Sequence, residues 1–241
     1  GRSDLGIGRA PGSDGATAAA LAYGSEVGIE YFPTKIADMV AFLADAPPAT
    51  EPFKNVRATP AVADVPEVWL LGSSDQSAAY AAHFGLAYSF AHFIAPQVTA
   101  PVLKYYRDKF QPSDNLGAPR ANAGVFVICA DTQEEADYLA ASRDLWRLRL
   151  NQGQHFPYAH PDEALAYDYS AQDRRVVEAN RANRFAGTPE SLRDQLTAFA
   201  DAHGFEEMLV LTITHNFETR LRSYELLAEA FDLDRRDAAA E

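Results

Sequence analysis

The chain has little sulfur: one cysteine and two methionines in 241 residues. A single thiol, Cys129, cannot close an internal disulfide, which fits a reducing, cytoplasmic compartment. It lies in the apolar run Val125-Phe126-Val127-Ile128-Cys129-Ala130, where a free cysteine behaves as a small buried hydrophobe. No apolar stretch reaches the roughly 18 residues that a membrane span requires. Residues 1–10 carry Arg2, Asp4 and Arg9 where a signal peptide would have a basic start and an apolar run. Positive charge is also scarce: 21 Lys and Arg against 34 Asp and Glu leave a net charge of −13. Such a field repels phosphate backbones and anionic membranes, so neither nucleic acid nor a membrane is expected as partner. A phosphate-bearing ligand must be held by local groups against that field. The six histidines show no metal-ligand spacing and no H-E-x-x-H occurs, so no metal site is expected. G-x-S-x-G and the P-loop are missing too. The first residue is not Met, which points to processing or to a piece of a longer protein.

With 47% apolar and 23% charged residues, the chain is ordinary globular material, long enough for a sizeable core. Five apolar runs read as buried strands: 4–9 (DLGIGR), 67–72 (EVWLLG), 87–93 (AYSFAHF), 124–130 (GVFVICA) and 207–214 (EMLVLTIT). Helical periodicity covers 74–85, 95–110, 132–150, 188–203 and 217–231. The boundaries carry their own signals. Thr188-Pro189-Glu190 is an N-cap, a proline at the first helical position and an acid in the first turn. Thr132 and Glu135 have capping-box spacing, and Gly85 and Gly204 stand where left-handed C-caps are wanted. Strand–helix alternation with continuously apolar strands predicts a parallel α/β sheet covered on both sides, a barrel or a doubly wound sheet. Two stretches break the rhythm. Residues 46–66 read as an extended connection. Residues 151–186 form a long excursion, either a lid or dimer surface or an irregular helical insertion.

Three places could carry chemistry. In Gly6-Ile7-Gly8-Arg9-Ala10-Pro11-Gly12 a strand ends in an arginine and turns at Pro-Gly. The C-terminal end of a parallel strand is where barrel enzymes keep their sites, and a guanidinium fork suits phosphate; a structural salt bridge is the plain alternative. In Leu71-Gly72-Ser73-Ser74-Asp75-Gln76-Ser77 a strand runs straight into a helix. Its N-terminal amides, with the hydroxyls of Ser73, Ser74 and Ser77, can bind an anion or simply cap the helix. In Tyr88-Ser89-Phe90-Ala91-His92 the alternation points Tyr88, Phe90 and His92 to one side of a strand, with His92 the candidate catalytic residue or else a satisfied core histidine.

GRSDLGIGRAPG, VWLLGSSDQSAAYAAHFGLAYSFAHF, RANAGVFVICADTQEEAD and GTPESLRDQLTAFADAHGFEEMLVLT together resemble the bacterial luciferase-like flavin-dependent monooxygenases. The resemblance implies a (β/α)8 TIM-barrel type of fold, here incomplete, as one domain over 1–241 whose five strands match the fourth to eighth of the family. It implies that Arg9 holds the FMN phosphate. Gly72, Ser73, Ser74 and Ser77 would complete that site, while Tyr88, Phe90 and His92 would line the flavin ring and substrate pocket. It further implies reduced FMN supplied by a separate flavin reductase, oxygenation of a small organic substrate with dioxygen, and a homodimer. In such enzymes the flavin carries the hard chemistry and the protein orients it and excludes water. A deazaflavin-dependent oxidoreductase of the same superfamily and a non-catalytic flavin-binding or assembly protein are the alternatives.

Overall fold

The structure, a computed structural model, describes residues 3–9, 15–22, 28–46, 48, 53–60, 65–181 and 183–233. The expected Pro11-Gly12 turn and much of the 46–66 connection lie outside these residues. The chain divides into two compact units.

The first unit comprises residues 1–91 and 97–122. Its strands are β1 (Leu5–Gly8), β2 (Val68–Gly72) and β3 (Ala87–Ala91), and its helices α1 (Gly15–Ala22), α2 (Phe32–Leu43), α3 (Asp75–Phe84) and α4 (Thr99–Lys109). The strands are parallel: Leu5 pairs with Val68 and Gly8 with Leu71, then Trp69 with Ala87 and Gly72 with Phe90. α3 turns its alanine face inward, with Ala78, Ala81 and Ala82 buried, and small side chains let it lie close to the sheet. Gly85 ends it in the left-handed conformation at φ 60°, donating to Ala81 O and Ala82 O. A Cβ there would sit 2.6 Å from Gln111 O, so the close approach also requires glycine. Tyr106 is fully buried; its hydroxyl donates to Leu86 O at 2.8 Å and accepts from the Arg120 N–H at 3.2 Å.

The second unit comprises residues 92–96 and 123–241. It is built on β4 (Ala121–Cys129), followed by α5 (Gln133–Asn151), α6 (Pro161–Ala166), α7 (Ala171–Arg181), β5 (Phe185–Gly187), α8 (Pro189–His203), β6 (Met208–Leu211) and α9 (Phe217–Ala230). The first half of β4 pairs in parallel with β6, Ala123 with Met208 and Phe126 with Leu211. Its second half pairs with β5, Val127 with Phe185 and Cys129 with Gly187. Period-two alternation sends the β4 side chains to different helices. Val125, Val127 and Cys129 pack with Leu192 and Leu196 of α8 and Leu226 and Leu227 of α9. Phe126, Ile128 and Ala130 pack with Ala136, Leu139 and Ala140 of α5. Each fully buried leucine contributes about 1.5–3 kcal/mol. Cys129 is buried and free, as expected.

The helices start where the caps predict. Thr132 Oγ1 accepts the Glu135 N–H at 3.1 Å, and Asn216 Oδ1 the Thr219 N–H at 2.9 Å. α8 begins at Pro189 behind Thr188 and ends at Gly204 with φ 64°. The fold class is the expected parallel α/β class of the TIM-barrel type. A sixth strand, β5, was not expected: three residues are too few to show a period. The 151–186 excursion carries two helices, α6 and α7. α6 and α7 lie on α5, where Ala159 and Ala164 join Ala141 and Leu145. The Asp144 carboxylate, 1% exposed, accepts from Arg181 Nε and Arg184 Nη1, both at 2.7 Å, and Arg184 also reaches Asp137. The Arg143 guanidinium lies 4.3 Å from the Phe126 ring centroid.

Candidate functional site

The register that pairs Gly8 with Leu71 sets the end of β1 beside the turn that leaves β2. Arg9, one residue past β1, is therefore next to the start of α3, and its Nη1 donates to Gln76 Oε1. The turn between β2 and α3 is held by three side chains. Ser74 is the extended N-cap at φ −140° and ψ 163°. Its Oγ accepts the Ser77 N–H at 3.4 Å, while Ser77 Oγ accepts the Ser74 N–H at 3.2 Å, a capping box made of two serines. The Ser77 hydroxyl donates to Ser74 O at 2.6 Å. The Tyr88 hydroxyl lies 2.9 Å from Ser77 Oγ and also donates to Ser74 O at 3.3 Å. Burial raises the Tyr88 pKa to about 12, and the Asp75 charge adds to the rise, so the phenol stays protonated at neutral pH.

Gly72 makes room for this arrangement. A Cβ there would lie 2.1 Å from Ser77 Oγ and 2.2 Å from Ser77 Cβ. Glycine at the strand end is thus what allows the Ser77 side chain to fold back under the turn.

The outer side of the turn is open. Ser73, Ser74, Asp75 and Gln76 form one wall of a groove of about 640 Å³, and Val102 and Tyr105 of α4 form another. Hydroxyls, first-turn amides and the Arg9 guanidinium are the donor set that an anionic oxygen needs. One group opposes it. Asp75 places a carboxylate in the same first turn, and its Oδ1 accepts the Gln76 N–H at 2.8 Å. An anion bound at these amides displaces that contact.

The structure sets Arg9, Gly72, Ser73, Ser74 and Ser77 around the β2–α3 turn but places them differently. Ser73 and Ser74 line the groove. Ser77 is 6% exposed and occupied within the turn, so it supports the site from below and does not face the groove. Tyr88 and Phe90 are fully buried, with ring centroids 6.3 Å apart and Tyr106 at 5.4 Å from Tyr88.

His92 belongs to the second unit and is 6% exposed. Its ring centroid lies 4.7 Å from that of Phe199 and 6.3 Å from that of Phe185. Burial, and secondarily the His203 charge, lower its pKa to about 4. The imidazole is therefore neutral near pH 7 and packed among these rings. Sequence reasoning missed Asp75 and Gln76. Their positions in the first turn of a predicted helix were the available signal.

Among the described residues no group of His, Cys, Asp and Glu could hold a metal ion, and no helix is long and apolar enough to cross a membrane.

A model of the luciferase-like monooxygenase family matches residues 32–206. The chain is 40% identical over 232 residues to the protein YwcH of Bacillus subtilis strain 168, covering 96% of this chain and 70% of that one. It is 32% identical over 226 residues to an Escherichia coli K12 protein named luciferase-like monooxygenase, covering 94% and 66% respectively. The crystal structure of apo-MsnO8 is 36% identical and superposes with a TM-score of 0.83, over 97% of this chain and 69% of that one.

Proposed function

The chain belongs to the luciferase-like monooxygenase family, and from that premise we propose that it serves a flavin-dependent monooxygenase reaction, with the FMN phosphate held between Arg9 and the start of α3. The observation that carries the reading is the placement of a strand-end guanidinium on Gln76, in the first turn of α3, beside two serines that face an open groove. That donor set fits a phosphate monoester in a chain of net charge −13, where only local groups can favour an anion.

In this reading Arg9 binds phosphate oxygens through its remaining N–H groups. Ser73 and Ser74 donate their hydroxyls, and the buried Ser77–Tyr88 pair keeps the turn in place. Bound there in reduced form, FMN would supply the activation of dioxygen. The small organic substrate, and the reductase that delivers reduced flavin, are further parts of the same proposal.

Titrating the 241-residue chain with FMN and with riboflavin, followed by flavin fluorescence, tests it. FMN binds more tightly, because riboflavin lacks the phosphate. Arg9→Ala removes the preference, weakening FMN binding by roughly 1.5–3 kcal/mol, the worth of a charge-assisted contact, and leaving riboflavin unchanged. Equal losses for both flavins would count against the clamp.

A further inference from the structure

We propose that Gln76 is a positioning residue for Arg9: its side-chain amide holds the guanidinium over the start of α3 and leaves the positive charge intact. The inference rests on the phosphate-site reading above and adds to it a residue that does not itself touch phosphate.

Arg9 stands at a strand end on a long side chain, and an arginine loses up to about 2 kcal/mol of rotamer freedom when it is ordered. Ordering that is in place before the ligand arrives spares binding that cost. Gln76 supplies it. Its Oε1 accepts from Arg9 Nη1, and its Nε2 donates to the Tyr80 hydroxyl at 3.0 Å, one helical turn further along. The Tyr80 ring in turn meets Phe32 with centroids 6.0 Å apart. The amide is therefore held at both ends. With Nε2 engaged by Tyr80, the oxygen is the end presented to the cation.

The chemistry of the acceptor matters. A glutamine oxygen engages one of the five guanidinium N–H groups without neutralising the charge, so the others remain available to phosphate. A carboxylate in that place would form an ion pair and compete with the ligand. The carboxylate in the same turn, Asp75, accepts the Gln76 backbone N–H. Gln76 is exposed, so its substitution leaves the core untouched.

The test compares FMN and riboflavin affinities of the full chain with those of Gln76→Leu, Gln76→Glu, Arg9→Ala and the Arg9→Ala/Gln76→Leu pair, at low and high salt. Gln76→Leu is expected to weaken FMN binding roughly three- to tenfold, the range of one hydrogen bond, with riboflavin unchanged. Gln76→Glu weakens it at least as much and flattens its salt dependence. The double variant binds FMN no more weakly than Arg9→Ala alone, since Gln76 acts only through Arg9. An unchanged FMN-to-riboflavin ratio in Gln76→Leu, or additive losses in the pair, would overturn the positioning role while Arg9→Ala still shows the phosphate contact. If Arg9→Ala leaves the ratio unchanged, or the unaltered chain binds neither flavin, the phosphate-site reading falls and this inference with it.

Discussion

Asp75 is the residue that most limits an anion site at the start of α3. Its carboxylate occupies the first turn, where the helix dipole favours negative charge, and takes the Gln76 N–H for itself. A phosphate arriving at the same amides meets one repulsive charge beside the attractive Arg9. Asp75→Asn keeps the shape and removes the charge. FMN affinity should rise by about 0.3–1 kcal/mol, roughly two- to fivefold, while helix stability falls by a few tenths. Calorimetric titration checks the first effect and thermal melting the second. A drop in FMN affinity would show that the carboxylate assists binding, and would place the anion elsewhere. At this scale the sequence was partly legible: the strand-end arginine and the Gly-Ser-Ser turn are visible in it, and the structure sets Arg9 beside the start of α3. The roles of Ser77 and Tyr88 were not, because a hydroxyl committed inward and one facing a ligand look alike in one dimension.

Among the elements, the α5–α7 contact has a buried polar anchor. Asp144 is enclosed on α5, while Arg181 and Arg184 reach it from the end of α7 and the residues after it. Removing the enclosed carboxylate takes the shared acceptor from both arginines and leaves Arg184, 10% exposed, with Asp137 as its remaining partner. Asp144→Ala should therefore lower unfolding free energy by about 3–5 kcal/mol, read from denaturant melts. Replacing the exposed Asp108, paired with Lys104 within α4, should cost under about 1 kcal/mol. Equal costs would mean that Asp144 does not anchor α7. Helix α5 itself was legible from its cap and periodicity. The helices within 151–186 were not, since α6 has six residues and α7 buries only Val177. Both are held by α5 rather than by a pattern of their own.

For the molecule as a whole, His92 couples folding to pH. In the folded protein its pKa is about 4, below the ordinary 6.5, because the buried site disfavours the charged form. Above pH 6.5 both folded and unfolded states are neutral and this position contributes its full stability. As pH falls from 6.5, the unfolded chain takes up a proton that the folded one refuses. Stability then declines until about pH 4, by about 3 kcal/mol in total at roughly 1.4 kcal/mol per unit. Melting temperature against pH should fall over that window, and His92→Phe should flatten it. A profile unchanged by the substitution would assign the acid sensitivity to other groups. What the sequence determined by itself is what local periodicity and chemistry encode: five of the six strands among the described residues, the capped helices and the buried Cys129. What tertiary structure alone decided is who faces whom. Arg9 meets Gln76 across 67 residues and Asp144 meets Arg184 across 40. His92 is closed in by rings from β5 and α8. Periodicity repeats within a few residues and survives in any window of the chain, whereas burial is set by whichever distant segment covers a side chain, and that choice is made only when the elements pack.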